Sequence, residues 1–232
     1  MSKTVVVHQP DFLPYLGFFH RLLQADLYLA LDHVQFVRQT SRAWTHRDKI
    51  KTRMGAAWLS LSVQKCPIDT AIANVALSPG QPWRTANLNL LTENYRRTFY
   101  YEMVFREIER VYEMPIDRLA NFNIALIDLL SHWLGIGVER VQSSELEPRG
   151  QKSEMVADLV ASVGGTRYLS GIGARGYHDQ APFDRRGIEV VWQDFTHPVY
   201  PQQFGEFVPY LSTIDALFNC GAEETVRLLR SA

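Results

Sequence analysis

The start of the chain constrains its fold most, because two short apolar runs flank a loop and a segment with helical character. Residues 4–7 are a β-branched run, residues 8–14 are a loop with two prolines, and residues 16–24 have the spacing of a helix. Residues 26–32 are a second apolar run of strand length. Such a unit makes two adjacent parallel strands joined by a right-handed crossover. The chain is therefore predicted to begin an α/β fold.

The rest of the chain divides into a mixed, a helical and a second α/β segment. Residues 38–53 are polar and basic, and the alternating runs 58–63 and 72–77 predict a hairpin or an addition to the sheet edge. Apolar residues have helical spacing from about 83 to 136, with an interruption near Pro115. The predicted elements that follow are strands at 138–143, 168–170 and 188–192, and helices at 152–163, 212–219 and 223–230.

These elements predict an α/β fold with a mostly parallel sheet, flanking helices, a Rossmann-like core and an α-helical middle insertion. Neither an internal repeat nor a low-complexity linker divides the sequence. We therefore expect a single domain over residues 1–232. Its parts are an N-terminal α/β part (1–78), a helical insertion (79–137) and a C-terminal α/β part (138–232).

Composition argues against several classes of protein. The 24 Lys and Arg residues balance 25 Asp and Glu residues without a long block of one sign, which argues against nucleic acid as a partner. The two cysteines form no CxxC pair, and the N-terminus lacks an apolar signal segment, so a cytoplasmic location is expected. The apolar stretch 124–136 contains Asp128 and His132 and falls short of the roughly 20 residues of a membrane span.

Polar side chains follow the first two predicted strands. His8 and Gln9 come directly after the first strand, and Asp32 ends the second. Ligands of open α/β sheets bind at the carboxyl ends of the strands, which predicts a shared location for these residues. His8 suits a general base, a hydrogen-bond donor to an oxyanion or a metal ligand, and Asp32 suits its orienting partner. The alternatives are that His8 caps its strand and Asp32 caps the following turn.

Other residues are candidates for binding an anionic group. Arg42, Arg47 and Lys51 lie in the basic run and suit phosphate or carboxylate, unless that run is a solvated loop. The turn at Ser170 and Gly171 offers backbone N–H groups to a phosphate. Further candidates are Gln9 and Gly17, together with Asn94 and Tyr95 on a helix, where the last two alternatively satisfy the buried end of that helix.

Metal binding and nucleophilic catalysis have little support in the sequence. The seven histidines form no HExxH or HxH arrangement, and no metal site is predicted. The run Tyr168 to Ile172 lacks the first glycine of a nucleophile elbow. The sequence leaves the cofactor and the oligomeric state open.

The motif HQPDFLPYLGFF at residues 8–19 resembles the opening motif of the WbqC-like family. The resemblance spans essentially the whole chain. Further blocks in the family's order are RDKIK at 47–51, Asn94-Tyr95, SSEL at 143–146, YLSG at 168–171, YPQ at 200–202 and LSTIDALFNCG at 211–221. The family is associated with bacterial surface-polysaccharide, modified-sugar and natural-product clusters, which implies a transferase-like biosynthetic role.

A second resemblance is to the nucleotidyltransferase and pantothenate-synthetase superfamily, whose first strand leads into an HxGH loop and a phosphate-binding helix. It implies a nucleotidyltransferase-like core. Gly17 matches the glycine of that motif, but Phe18 replaces its second histidine, which would stabilise charge on a transferred phosphate. The resemblance therefore implies a site for a phosphate-bearing ligand rather than adenylyl transfer.

The leading hypothesis from the sequence is a group transferase for a small anionic or nucleotide-linked substrate at the carboxyl edge of the sheet. Its catalytic residues would be His8 and Asp32. The alternative is a non-catalytic ligand-binding or scaffolding protein of such a pathway, and a third hypothesis is a metal-dependent hydrolase. The expected partner is a small molecule, nucleotide-linked or carrier-bound.

Overall fold

The computed structural model describes residues 2–38, 43–80 and 82–232. Five strands form the main sheet and two form a separate hairpin. The strands are β1 (Thr4–His8), β2 (Leu27–Ala30), β3 (Arg47–Thr52), β4 (Gly55–Ser60), β5 (Glu139–Gln142), β6 (Arg167–Ser170) and β7 (Glu189–Trp192). The α-helices are α1 (Leu16–Leu22), α2 (Trp83–Tyr95), α3 (Tyr101–Glu113), α4 (Leu119–Trp133), α5 (Lys152–Ser162), α6 (Ala181–Asp184) and α7 (Thr213–Arg230).

The main sheet is entirely parallel, with the order β5-β2-β1-β6-β7. Counted along the chain, its strands therefore stand in the order third, second, first, fourth, fifth. This is the order of a Rossmann sheet, in which the chain winds outwards in both directions from the first strand. The predicted α/β class and Rossmann-like core are confirmed. The direction of winding changes between β1 and β6.

Both faces of the sheet are buried, which explains why β1 reads as a continuous apolar run. Val6 points into the larger core cluster, which also contains residues of α1, of α2 to α4 and of α7. Val5 and Val7 point into the second cluster, formed with residues of α5 and α6. Alternate side chains of one strand thus hold the two helical layers together.

The predicted hairpin between the two alternating runs is wrong. The strand β4 pairs with β3, the preceding basic segment, in an antiparallel register from Arg47–Ser60 to Thr52–Gly55. Residues 72–74 are a single 3-10 turn, and the runs meet only at an isolated bridge between Val63 and Leu77. The basic run is therefore strand in its second half rather than solvated loop.

The helical middle segment is confirmed as α2, α3 and α4, which lie in sequence between the hairpin and β5. The last helix contains a kink at Gly221, whose φ is +78°. This kink separates the two short helices that the sequence predicts. No helix within the described residues is long and apolar enough to cross a membrane.

The close approach of β1 and α5 requires Gly165, in the turn that leads into β6. A Cβ atom at residue 165 would lie 2.6 Å from Val5 Cγ2 and 2.8 Å from the Val160 carbonyl oxygen. We expect Gly165→Ala to reduce the free energy of unfolding by about 1–3 kcal/mol because the core is overpacked. Denaturant unfolding measures this change.

Gly137→Ala is the matched control, since a Cβ there meets nothing within 4 Å and the backbone carries no positive φ. Its free energy of unfolding should stay within about 0.5 kcal/mol of the wild type. Equal stability of the two variants would contradict the packing described for β1 and α5.

Candidate active site

The carboxyl ends of β1 and β6 meet where the winding of the sheet reverses. His8 is the last residue of β1, and Ser170 is the last residue of β6, followed directly by Gly171. The two strands are hydrogen-bonded neighbours. In doubly wound sheets this position has an open crevice, because the connections on either side leave in opposite directions. The structure thus brings His8, Ser170 and Gly171 to one edge.

The imidazole of His8 is held by groups of its own loop. Its Nδ1 lies 3.0 Å from the Gln9 carbonyl oxygen and 3.5 Å from Asp11 Oδ2. A carbonyl only accepts hydrogen bonds, so Nδ1 carries the proton and Nε2 keeps its lone pair. The ring also packs edge-on against Phe18, with 5.4 Å between the ring centroids. This is the tautomer in which Nε2 accepts a proton.

Burial shifts the protonation of His8 and Asp11 in opposite directions. Desolvation, followed by the charge of Arg21, lowers the pKa of His8 to about 3. Desolvation also raises the pKa of Asp11 to about 7, although Arg21 opposes this shift. At neutral pH His8 is therefore neutral, and Asp11 exchanges its proton near the working pH. Perturbed pairs of this kind concentrate in functional sites.

Arg21 is a buried cation without an ion-pair partner among the described residues. Only 4% of the residue is exposed, and Nε is a buried atom without a hydrogen-bond partner. Its guanidinium carbon lies over the Phe18 ring, 5.9 Å from the centroid. Within residues 2–38, 43–80 and 82–232, no hydrogen bond or ion pair reaches the guanidinium. A charge buried in this way is costly unless a ligand completes its coordination.

The guanidinium reaches the end of β6 because side chains of a helix point back towards its N-terminus. A Cβ atom on Gly171 would lie 3.2 Å from Arg21 Nη1, so glycine at this position leaves room for the guanidinium. Arg21 thus spans the boundary between β1 and β6. Its charge also acts on the pKa values of Tyr15, Tyr28 and Tyr168.

Asp48, on β3, is a second buried acid with a raised pKa. It is 4% exposed, and its Oδ1 accepts a hydrogen bond of 2.6 Å from the Lys49 backbone N–H. Desolvation raises the pKa of Asp48 well above its usual range and the charge of Asp11 adds to the shift, while the backbone N–H and the charge of Lys49 oppose it. Burial, Asp11 and Asp48 each raise the pKa of the Tyr15 phenol, while Arg21 lowers it. These side chains therefore share one electrostatic environment.

Ser212 links the hairpin that contains Asp48 to the loop between β1 and α1. The Lys49 carbonyl oxygen accepts a hydrogen bond of 2.9 Å from the Ser212 backbone N–H, and Ser212 forms an antiparallel bridge with Tyr15. The Ser212 hydroxyl donates to the Leu13 carbonyl oxygen at 2.6 Å. The residue that precedes α7 thus ties β3 to the loop between β1 and α1.

Asp32 occupies a different part of the edge, where β2 adjoins β5. It is fully buried, and its carboxylate accepts four hydrogen bonds of 2.8–3.0 Å. The donors are the Gln142 amide, the Ser143 hydroxyl, and the Ser144 hydroxyl and backbone N–H. The expected pairing of Asp32 with His8 is not formed. The carboxylate beside Nδ1 of His8 is that of Asp11.

Lys51 and Tyr95 belong to a buried network around Asp215. The Tyr95 hydroxyl donates to Asp215 Oδ1 at 2.6 Å and accepts from the Lys51 backbone N–H at 3.0 Å. The Lys51 ammonium donates to the Gln202 side-chain oxygen at 3.1 Å and to the Glu206 carbonyl oxygen. Because its members satisfy one another, this network ties β3, α2 and α7 together.

The remaining predicted residues have varied surroundings. Gly17 packs against the Tyr15 ring, and its carbonyl oxygen accepts a hydrogen bond of 2.8 Å from the Gln193 amide. Asn94 donates to the Leu90 carbonyl oxygen of its own helix at 2.8 Å. The Arg47 guanidinium lies over the Trp58 ring, 4.3 Å from the centroid. Gln9 is half-buried beside His8, and Arg42 lies outside the described residues.

Sequence reasoning missed Asp11, Arg21 and Asp48. Arg21 follows Phe18 by three residues on a helix whose residues are all buried, so it stands on an apolar surface. Asp48 shares a face with buried Ile50, which becomes visible only once residues 47–52 are known to be a strand. Within the part of the chain that the structure describes, no three His, Cys, Asp or Glu side chains are arranged to hold a metal ion.

Asp32 should contribute to stability rather than to ligand binding. In Asp32→Asn an amide nitrogen replaces a carboxylate oxygen that accepts hydrogen bonds. The new N–H group then faces donors such as the Gln142 amide and the Ser144 hydroxyl. We expect the free energy of unfolding to fall by about 2–4 kcal/mol in urea denaturation. Asp128→Asn, which removes an exposed ion pair with Arg140, should cost less than about 1 kcal/mol. A stable Asp32→Asn protein that no longer binds ligand would contradict this assignment.

Asp11 should make stability depend on pH in a defined direction. Its folded pKa of about 7 exceeds the unfolded value of about 3.9, so the folded protein binds the extra proton. This contribution is complete below about pH 4 and is lost as the pH rises through about 7. Asp11→Asn cannot ionise and should be more stable than the wild type by about 2–4 kcal/mol at pH 8, with no gain at pH 4.

Urea unfolding of both proteins at pH 4, 6 and 8 measures this difference. The depressed pKa of His8 affects both proteins with the opposite slope at acid pH, so it largely cancels in the comparison. Lower stability of Asp11→Asn at pH 8 would mean that the ionised carboxylate is stabilised by His8 and Arg21, contrary to the burial described here.

Comparison with known proteins identifies the chain's relatives. No solved structure matches it. An uncharacterized protein of Mycobacterium tuberculosis (strain ATCC 25618 / H37Rv), Rv1507c, is 30% identical over 223 residues, which cover 95% of each chain. The model of the WbqC-like protein family matches residues 9–227, from the loop after β1 almost to the C-terminus. The chain belongs to the WbqC-like protein family.

Proposed function

We propose that this protein is a group transferase that binds a small anionic or nucleotide-linked substrate at the ends of β1 and β6. The observation that carries the proposal is the buried guanidinium of Arg21, which lies beside the His8–Asp11 pair without a counter-ion among the described residues. A bidentate phosphate or carboxylate supplies both the charge and the acceptors that this guanidinium lacks.

The energetic cost of burying the Arg21 charge supports a ligand-binding role. A buried charge without hydrogen bonds reduces stability by several kcal/mol, and structural arginines avoid this cost by pairing. Arg84 illustrates the structural case, since its guanidinium donates to the carbonyl oxygens of Tyr112 and Ile116. Arg21 has no such partners among the described residues, and Gly171 leaves it space at the sheet edge.

The His8–Asp11 pair supplies the proton transfer that group transfer requires. Nε2 of His8 takes the proton of an acceptor hydroxyl or amine while the acceptor bonds to the transferred group. The bond to the leaving group breaks, and its electron pair stays on the anionic leaving group held by Arg21. Asp11 holds the Nδ1–H tautomer of His8 and stabilises the imidazolium, which afterwards returns its proton to solvent.

Bound anion also makes His8 a better base. The charge of Arg21 is the second cause of the low His8 pKa, after desolvation. An anion on Arg21 offsets that charge and raises the pKa of His8 towards the range in which general bases are effective. The protein thereby gains its base chiefly when substrate is bound. The proposed pathway is bacterial polysaccharide, modified-sugar or natural-product biosynthesis, which rests on the family resemblance alone.

Arg21→Met distinguishes a binding role from a structural one. We expect this variant to be more stable than the wild type by about 1–3 kcal/mol without ligand, because an uncompensated buried charge is removed. It should also lose the thermal shifts produced by nucleotides, sugar nucleotides, acyl-CoA compounds or inorganic phosphate. A ligand at 100 times its dissociation constant stabilises the wild type by about 2.7 kcal/mol, which is easily measured.

Arg84→Met is the matched control and should destabilise the protein, because two carbonyl oxygens lose their donor. A destabilised Arg21→Met protein that still binds the wild-type ligands would overturn the proposal.

Mass spectrometry of mixtures of a bound donor with hydroxyl and amine acceptors then tests catalysis. Turnover lost in His8→Gln with binding retained supports the transferase, whereas wild-type binding without turnover supports the scaffolding alternative.

A further inference from the structure

We infer that the β7–α7 loop (residues 193–212) binds a nucleobase, which stacks on Tyr210 and donates a hydrogen bond to His197. This inference rests on the proposed function, because it assigns the ring of a nucleotide-linked substrate whose anion Arg21 binds. It is argued from the ring contacts of the loop, from a buried ring nitrogen without a donor, and from the attachment of the loop to the end of β6.

The β7–α7 loop is long and is fastened at both ends to the candidate site. Residues 193–212, all of which the structure describes, contain neither helix nor strand, and loops of this length are usually functional. At its start the Gln193 backbone N–H donates to the Ser170 carbonyl oxygen, and the Gln193 amide donates to that of Gly17, both at 2.8 Å. At its end Ser212 forms the bridge with Tyr15. The loop therefore runs from the end of β6, past the first turn of α1, to the loop after β1.

Contacts place the start of this loop beside Arg21. Ser170, which accepts the Gln193 N–H, is followed by Gly171, where a Cβ atom would lie 3.2 Å from Arg21 Nη1. Two residues further along the loop, Phe195 packs against His20, the residue before Arg21 on α1, with 5.2 Å between the ring centroids. The anion site and the loop thus adjoin the same end of β6 and the same helix, and one ligand can contact both.

His197 lies among aromatic side chains of the loop. The centroids of four rings are within 6.3 Å of its own: Tyr210 at 5.0 Å, Phe195 and Phe207 at 5.9 Å, and Tyr200 at 6.3 Å. The Nδ1 atom of His197 lies 2.9 Å from the Pro198 carbonyl oxygen. Because a carbonyl only accepts hydrogen bonds, Nδ1 carries the proton and Nε2 keeps its lone pair.

The Nε2 atom of His197 is a buried acceptor without a donor among the described residues. Burial lowers the pKa of His197, so the imidazole is neutral at neutral pH and Nε2 carries no proton of its own. A buried polar atom without a partner reduces stability and calls for an explanation. A planar ring that bears an N–H group supplies the missing donor and also packs well on aromatic side chains.

Tyr210 forms the side of this aromatic group that faces solvent. It is 58% exposed, whereas Phe195 and Phe207 are half-buried and Tyr200 is buried. Its φ of +57° is in the left-handed region, which residues other than glycine rarely adopt, and such strain is often kept at binding sites. The ring is held against His197 and, at 6.1 Å between centroids, against Tyr15. Tyr210 thus presents an oriented face on which a base can stack.

A sugar ring is the competing occupant of an aromatic surface. Each of its hydroxyl groups needs a hydrogen-bond partner once it is removed from water, so a sugar requires several polar side chains. The surroundings of His197 offer ring faces and one unpartnered nitrogen. A base matches this combination better, since it has two broad faces and few polar atoms.

Matched phosphate-bearing probes test the inference. The common ribonucleoside 5′-monophosphates carry a base, ribose 5-phosphate lacks it, and inorganic phosphate lacks the sugar as well. We expect calorimetric titration to give affinity about 5- to 150-fold tighter for at least one nucleotide than for ribose 5-phosphate, the range that stacking of one base supplies.

Tyr210→Ala should remove that preference and bring the nucleotide to within about twofold of ribose 5-phosphate. Tyr210→Phe keeps the ring and should keep the preference. Phe99→Ala is the matched control, because Phe99 is an exposed ring in the turn between α2 and α3, where it packs against Tyr100. It should bind every probe as the wild type does.

His197→Phe tests the hydrogen bond separately from the stacking. It replaces the unpartnered nitrogen by carbon, so the protein without ligand should be no less stable in urea, while nucleotide affinity should fall about 3- to 10-fold. His178→Phe is the matched control, since Nε2 of His178 already bonds to the Gln180 side-chain oxygen at 3.0 Å. Nucleotide affinity should be unchanged in that variant. Unchanged affinity in His197→Phe as well would contradict the assigned hydrogen bond.

The two proposals fail separately. Equal wild-type affinity for ribose 5-phosphate and every nucleotide, or a preference that survives in Tyr210→Ala, would overturn this inference while leaving anion binding by Arg21 intact. Failure of every phosphate-bearing probe, with Arg21→Met as stable as the wild type, would overturn the proposed function itself. A nucleoside without phosphate that binds wild type and Arg21→Met equally, but not Tyr210→Ala, would then still support the base site. Glucose 1-phosphate bound more tightly than any nucleotide, and lost in Tyr210→Ala, would replace the base by a sugar and overturn the inference.

Discussion

The structure depends on the position of β1, which pairs with β2 on one side and with β6 on the other. A parallel strand with neighbours on both sides needs a crossover in each direction, and the two crossovers leave the strand ends between them uncovered. His8 stands at that gap because it ends the central strand. Arg21 lies beside it because α1 is the first crossover helix. The chemistry of the edge thus follows from the winding of the chain.

A second constraint is the cost of burying charge. Buried acids and bases persist in a fold when partners compensate them or when a function maintains them. In this protein Asp11 and Arg21, which form no ion pair with each other among the described residues, lie at the edge where the winding reverses. Random placement of such groups would scatter them over the core. Their clustering is the reason to connect them with one ligand.

The α/β class and the mostly parallel sheet could be predicted because they depend on local sequence patterns. Apolar runs of strand length and helical spacing are short-range features, and residues 4–32 contain a complete strand–helix–strand unit. The hairpin of β3 and β4 could not be predicted in this way. The strand β3 is a basic segment, and the turn at Arg53 and Met54 lacks the Asn-Gly or Asp-Gly sequence typical of tight hairpins. Because residues 47–52 were not predicted to be a strand, the burial of Asp48 on one face of that strand was not predicted either.

The candidate site was predictable in location but not in detail. The order of elements along the chain is enough to predict that His8 and the Ser170–Gly171 turn lie at the carboxyl ends of their strands. The partner of His8 depends in addition on the order of the strands within the sheet. Asp32 follows β2, which lies on the β5 side of β1 and away from β6. Asp11 was overlooked because a residue three positions after a strand has no fixed direction until the loop is known.

The buried acids of this protein differ in how many hydrogen-bond donors surround them. Asp32 and Asp215 are both fully buried, yet each is surrounded by donors: serine and glutamine groups for Asp32, and Tyr95, Tyr200 and Gln202 for Asp215. Such acids hold segments together and need no ligand. Asp11 is 8% exposed and lies 3.5 Å from Nδ1 of His8, and Asp48 is 4% exposed and accepts a hydrogen bond from the Lys49 backbone N–H. The number of donors thus separates Asp32 and Asp215, which hold segments together, from Asp11, which faces His8.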